Sequence, residues 1–121
     1  MDRQQARLFK TLAHPVRIAI LDVLRGGEEC VCHLEAVIGQ RQAYISQQLA
    51  VLRKAGLIDD RRDGLNIFYR IAQPEVLRLL DTAYAMLGSD YHVRAPIACP
   101  CPHCLTGTSE VVSLLKKDTL C

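Results

Sequence analysis

The chain has 121 residues, 50% apolar and 23% charged, with 15 Lys and Arg against 13 Asp and Glu. That length and mix describe one globular domain with its own core and exclude a disordered chain or a disulfide-stapled miniature. No apolar run reaches the roughly 18 residues that span a bilayer, and the polar start Met1-Asp2-Arg3-Gln4-Gln5 carries no leader pattern, so the expected setting is the cytoplasm, with no membrane partner and with reduced thiols.

Residues 2–12 place Ala6, Leu8, Phe9 and Leu12 at helical spacing. Pro15 suits the first turn of a second helix, where its missing N–H costs nothing, and that helix runs to about Leu24 before Gly26-Gly27 stops it. A third helix is expected over Glu28 to Ile38, with Leu34, Val37 and Ile38 on one face and Gly39 as its stop. Arg41 to Ala55 is the clearest helix. Ile45, Leu49, Leu52 and Ala55 form its apolar stripe, and Gln42, Tyr44, Gln47, Gln48 and Arg53 form the other face. Gly56 is the expected residue just past its end.

The period then switches from 3.6 to 2. Leu57 to Arg62 and Asn66 to Ile71 read as two strands joined by an Asp63-Gly64 turn. Pro74 opens a last helix, Glu75 to Leu87, whose wide apolar face suits packing on a second chain. Beyond Gly88 the composition changes: Ala95 to Cys104 contains Pro96, Pro100 and Pro102, which forbid a regular helix. The predicted fold is mainly α with a small β-hairpin. It comprises a dimeric winged helix-turn-helix over residues 1–88, for DNA binding and dimerisation, and a Cys-rich tail over 89–121 with room for a short helix at Glu110 to Lys117.

Two helices joined by about three residues around Gly39 have helix-turn-helix spacing, and a hairpin straight afterwards is a wing. The second of those helices would enter the major groove. Arg41, Gln42, Tyr44, Ser46, Gln47, Gln48 and Arg53 are its candidate contacts with double-stranded operator DNA, because Gln pairs bidentately with adenine while Arg, Ser and Tyr reach phosphates or base edges. Arg61 and Arg62 would meet the backbone from the wing. Arg41, Arg53, Lys54, Arg61, Arg62 and Arg70 against Asp59, Asp60 and Asp63 give this region a local balance of +3, although the whole chain is only +2. An ordinary solvated helix face is the competing reading, and the wing context argues against it.

Three segments carry a family resemblance. Leu12-Ala13-His14-Pro15-Val16-Arg17 is similar to the L-x-x-P-x-R opening of the second helix in the ArsR/SmtB repressors. Ser46-Gln47-Gln48-Leu49-Ala50-Val51-Leu52-Arg53-Lys54-Ala55-Gly56-Leu57-Ile58 resembles that family's recognition helix S-x-H-L-x-x-L-R-x-A-G-L-V, with Gln48 in the usual place of His. Glu29-Cys30-Val31-Cys32-His33-Leu34 resembles the metal motif E-L-C-V-C-D-L, with His33 in the frequent place of Asp. The resemblance implies a homodimeric repressor that leaves its operator on binding a metal or metalloid, with As(III) favoured over Sb(III), Cd(II), Pb(II) or Zn(II). The family's other zinc site needs an Asp-x-His pair on the last helix. This chain reads Asp81-Thr82-Ala83 there, so that site is not expected.

On a regular helix Cys30 and Cys32 would point about 200° apart, so they can share an ion only if the first turn is irregular or extended, which Gly26 and Gly27 would permit. The family's arsenic-sensing motif has a third Cys nearby, and here the following positions are Glu35, Ala36 and Val37. The tail offers Cys99, Cys101 and Cys104, with His103 as a further ligand, in knuckle-like spacing. Either a tail thiolate completes the Cys30 and Cys32 site, or the tail forms a site of its own; Cys121, at the last position, is the weakest candidate. Soft thiolates select soft ions. A thiol redox or persulfide sensor on the same scaffold is the alternative function. An enzyme using Cys101-Pro102-His103-Cys104 as a dithiol site is disfavoured, because such quartets follow a strand in a βαβ unit. An ion on Cys30 and Cys32 is expected to distort the first helix of the helix-turn-helix and thereby move the recognition helix or the dimer spacing.

Overall fold

The computed structural model describes residues 3–88. Five helices and one small sheet follow in the order α1 (Arg3–Leu12), α2 (Pro15–Val23), a 3₁₀ turn (Leu24–Gly26), β1 (Glu29–Cys30), α3 (Val31–Ile38), α4 (Gln42–Lys54), β2 (Ile58–Asp63), β3 (Asn66–Ile71) and α5 (Glu75–Met86). The strands are antiparallel in the order β1-β3-β2, which makes this a winged helix-turn-helix. Ile20 and Leu21 of α2, Leu34 of α3, Ile45, Leu49 and Leu52 of α4 and Ile58 of β2 are fully buried together. Val76 and Leu80 of α5 join the same core.

The turn chemistry explains the stops. His14 is extended (φ −153°, ψ 119°) and Pro15 follows it as the first helical residue of α2. Helix α4 ends in a Schellman motif. Leu57 N–H donates to Leu52 C=O (3.1 Å) and Gly56 N–H to Arg53 C=O (2.9 Å), with Gly56 at φ +79°. The buried side chains of Leu52 and Leu57 belong to one cluster, so the cap also feeds the core.

Three details differ from the sequence reading. The third helix starts at Val31 rather than Glu28, because Gly27 (φ 128°, ψ −166°) turns the chain into an extended run and Glu29 and Cys30 pair with Tyr69 and Phe68. The hairpin is therefore part of a three-stranded sheet. The hairpin turn is also one residue later than expected. Asp63 pairs with Asn66, so Gly64-Leu65 occupies the centre, with positive φ at Gly64 only, the signature of a type II′ turn. Finally, Ala55 is exposed and lies outside the apolar stripe of α4.

An added Cβ at Gly56 would meet only Gln73 Nε2, at an ordinary 3.6 Å, so the cost of replacing it comes from its left-handed backbone. Gly56→Ala should destabilise the fold by about 1 kcal/mol in urea unfolding, whereas Gly26→Ala, with open space around it and ordinary φ, should be neutral or slightly stabilising.

Candidate nucleic-acid interface and thiol pair

Helix α4 presents Gln42, Ser46, Gln47 and Arg53 to solvent, with Arg41 exposed at its N-cap. Tyr44 is half-buried, its hydroxyl 3.3 Å from His14 Nε2. Gln48 departs from the expectation. It is buried at 8% exposure, and its Oε1 accepts a 2.8 Å hydrogen bond from Arg17 Nε, while Arg17 Nη1 donates to Thr11 C=O (3.2 Å). Position 48 lies three residues after Ile45 and four before Leu52, so helical periodicity turns it inward. Its polarity suggested the outer face, whereas its phase put it inside. Gln48 thus faces the interior, where it holds Arg17, and is not presented to solvent with Gln42, Ser46 and Gln47. Arg17, singled out only as a motif letter, is its partner.

On the wing, Arg53 pairs with Asp60 (3.1 Å). Arg61 makes a forked contact with Glu28 (Nε to Oε2 3.1 Å), and its guanidinium carbon lies 4.9 Å from the centre of the Phe68 ring. The hydrogen bond to Glu28 raises the Arg61 pKa further above its ordinary value, so its charge is permanent. Arg62 and Arg70 are exposed and have no ion pair among the described residues. Leu65 is fully exposed at the wing tip.

Cys30 and Cys32 meet as the local geometry required. Cys30 is extended (φ −85°, ψ 163°) as the N-cap of α3 and Cys32 is the second helical residue, which brings their Sγ atoms to 3.4 Å. Two thiolates about 2.3 Å from one ion, roughly 95–110° apart, hold their sulfurs about 3.4–3.8 Å apart. Cys30 is buried and Cys32 half-buried. His33 is buried beside them, its Nε2 3.8 Å from Glu29 Oε2. No group of three metal-ligating side chains occurs among the described residues. Cys99, Cys101, His103, Cys104 and Cys121 lie outside the described residues, as does the rest of the predicted tail.

The pair is joined to the wing by register. Cys30 stands opposite Phe68, and Phe68 stands opposite Arg61. A straight row therefore crosses all three strands from thiol to wing arginine, and Glu28 of the segment before β1 closes it onto Arg61. Sequence spacing does not encode this row, because it depends on β1, a strand of only two residues.

A model of bacterial regulatory proteins of the arsR family matches residues 14–60. The biofilm growth-associated repressor of Agrobacterium fabrum is 48% identical over 81 residues, 67% of this chain and 69% of that one. The chain belongs to the arsR family. It is a transcriptional regulator by that membership, and the structural relatives agree. The transcriptional repressor BigR from Xylella fastidiosa matches with TM-score 0.64 and 38% identity over 74% of this chain and 87% of that one. A homodimeric winged helix-turn-helix DNA-binding domain from Mycobacterium bovis matches with TM-score 0.61 and 33% identity, over 74% and 88%. No described helix is long and apolar enough to cross a membrane.

Two of the three glutamines of α4, Gln47 and Gln48, should have separable roles in this arsR-family regulator. Gln48→Leu should cost about 2 kcal/mol of stability in urea unfolding, by stranding the Arg17 guanidinium. Gln47→Ala should leave the unfolding midpoint in place and weaken operator binding roughly tenfold. Loss of DNA affinity at unchanged stability in Gln48→Leu would instead make Gln48 a base reader.

Proposed function

We propose that the chain represses transcription as an operator-bound homodimer and releases the DNA when Cys30 and Cys32 capture a thiophilic ion, As(III) first, then Sb(III), Cd(II), Pb(II) or Zn(II). The observation that carries this reading is the 3.4 Å separation of the two sulfurs, an ion-sharing distance produced by an extended cysteine at a helix cap. The donor set is soft, which favours these ions over hard ones. A third thiolate would come from Cys99, Cys101 or Cys104 of the same or the second protomer.

Support for the dimer comes from exposed apolar side chains on the first and last helices, Phe9 on α1 and Met86 and Leu87 at the end of α5, together with the homodimeric state named for the Mycobacterium bovis relative. Support for DNA binding comes from the exposed Gln42, Ser46 and Gln47 on α4 and the exposed Arg62 on the wing. Ion capture acts on the wing first. Cys30 belongs to β1, so the pull of a third thiolate on an ion held by this preformed pair is transmitted to the strand paired with Phe68 and to the segment whose Glu28 holds Arg61. An effector releases DNA only to the extent that it binds the free conformation better, and a 100-fold effect needs about 2.7 kcal/mol of coupling.

Operator affinity of the reduced full-length protein, read by fluorescence anisotropy under a non-thiol reductant, should fall about 100-fold on adding As(III). Cys30→Ser/Cys32→Ser should keep the basal affinity and lose the response. Unchanged affinity with every thiophilic ion contradicts the proposal, and a full response in the double variant removes Cys30 and Cys32 from it.

A further inference from the structure

A concavity whose lining includes neither Cys30 nor Cys32 lies between α1 and the C-terminal end of α4. It is a cleft of about 750 Å³, within the size range of small-ligand sites. Its cations come from three helices: Arg7 and Lys10 of α1, Arg17 of α2 and Lys54 of α4. Among the described residues no Asp or Glu lines it, although acids nearly balance bases in the chain as a whole, 13 against 15. Leu8 and Val51 give it an apolar wall.

Arg17 is the anchor. Its guanidinium is bonded to two neutral acceptors, the Gln48 amide oxygen and the Thr11 carbonyl, and to no carboxylate among the described residues. A half-buried cation held in place by dipoles retains an uncompensated charge that favours an anion beside it. The remaining three cations converge on the same space from other directions.

We infer that this cleft binds a small organic anion, a carboxylate, sulfonate or phosphate carried on an apolar body. The charged wall takes the anionic group, and Leu8 and Val51 take the apolar part. The DNA backbone is the less suitable occupant. The cleft sits at the C-terminal end of α4, about 18 Å along the helix from Gln42, where the outward-facing polar residues begin. A concave apolar wall also has no counterpart on a phosphate ribbon. Because Arg17 fixes Gln48 on the inner face of α4, a ligand that draws on the same guanidinium gains a direct hold on the reading helix.

The test uses reduced full-length protein with naphthalene-2-sulfonate and, separately, inorganic phosphate as probes. Calorimetry should show one saturable naphthalene-2-sulfonate site per chain and far weaker binding of phosphate. Amide shifts in NMR spectra should cluster at Thr11, Lys54 to Leu57 and Gln73. Arg7→Gln/Lys54→Gln should lower the affinity at least tenfold, while Arg3→Gln, on the same helix but outside the cleft, leaves it unchanged. Equal affinity in the double variant, or shifts centred on Phe9, Met86 and Leu87, overturns the inference. So does a double variant that weakens operator binding and flattens its salt dependence while the wild type takes up no probe, because the cleft would then be a contact to the DNA backbone.

Discussion

The two-residue strand β1 is the constraint on which the geometry of the thiol pair and the wing depends. Its pairing with β3 does three things. It turns a hairpin into a three-stranded sheet, it holds Cys30 extended at the start of α3, and it aligns that cysteine with the wing. Had Glu28 to Cys30 continued α3 as a helix, the two thiols would have pointed apart. The backbone choice at one short segment therefore decides whether Cys30 and Cys32 meet. Gly27, in a conformation that L side chains rarely adopt, makes that choice available.

The wing arginine is held by the same segment. Glu28 and Phe68 together fix Arg61, one through a forked ion pair and the other through its ring face. Surface ion pairs contribute little stability, so this clasp is better understood as orientation than as reinforcement. It leaves Arg62 and Arg70 as the wing cations with no such tether among the described residues. The reading helix is fixed in a parallel way by Arg17 and Gln48. There the partner is half-buried and the cost of losing it is larger, because a stranded guanidinium loses its acceptor away from full solvent. The interface thus has two supports: a polar one under α4 and a β-ladder under the wing.

Much of this was legible in the residues. The helix order, the stop at Gly56 and the second helix opening at Pro15 follow from turn chemistry and apolar spacing. The condition on the first turn of α3, that it be irregular if Cys30 and Cys32 are to meet, came from helix geometry alone, and the structure satisfies it with a strand. The misses have physical causes. Two residues give no alternation to detect, so β1 was absorbed into the helix after it. The polarity of Gln48 points to the surface while its helical phase points to the interior, and the half-buried Arg17 that satisfies it lies 31 positions away. Ion pairs such as Glu28 with Arg61 join residues 33 apart and depend on sheet register, which spacing does not encode.

The central claim is that the thiol pair and the wing form one mechanical unit through β1. Amide hydrogen exchange of the reduced protein with and without stoichiometric As(III) tests it most directly. The account predicts altered protection at Cys30, Phe68 and Arg61, the row across the sheet, with α5 unchanged. Exchange that changes only within α3 and α4, while the ladder between β1 and β3 keeps its protection, would contradict it.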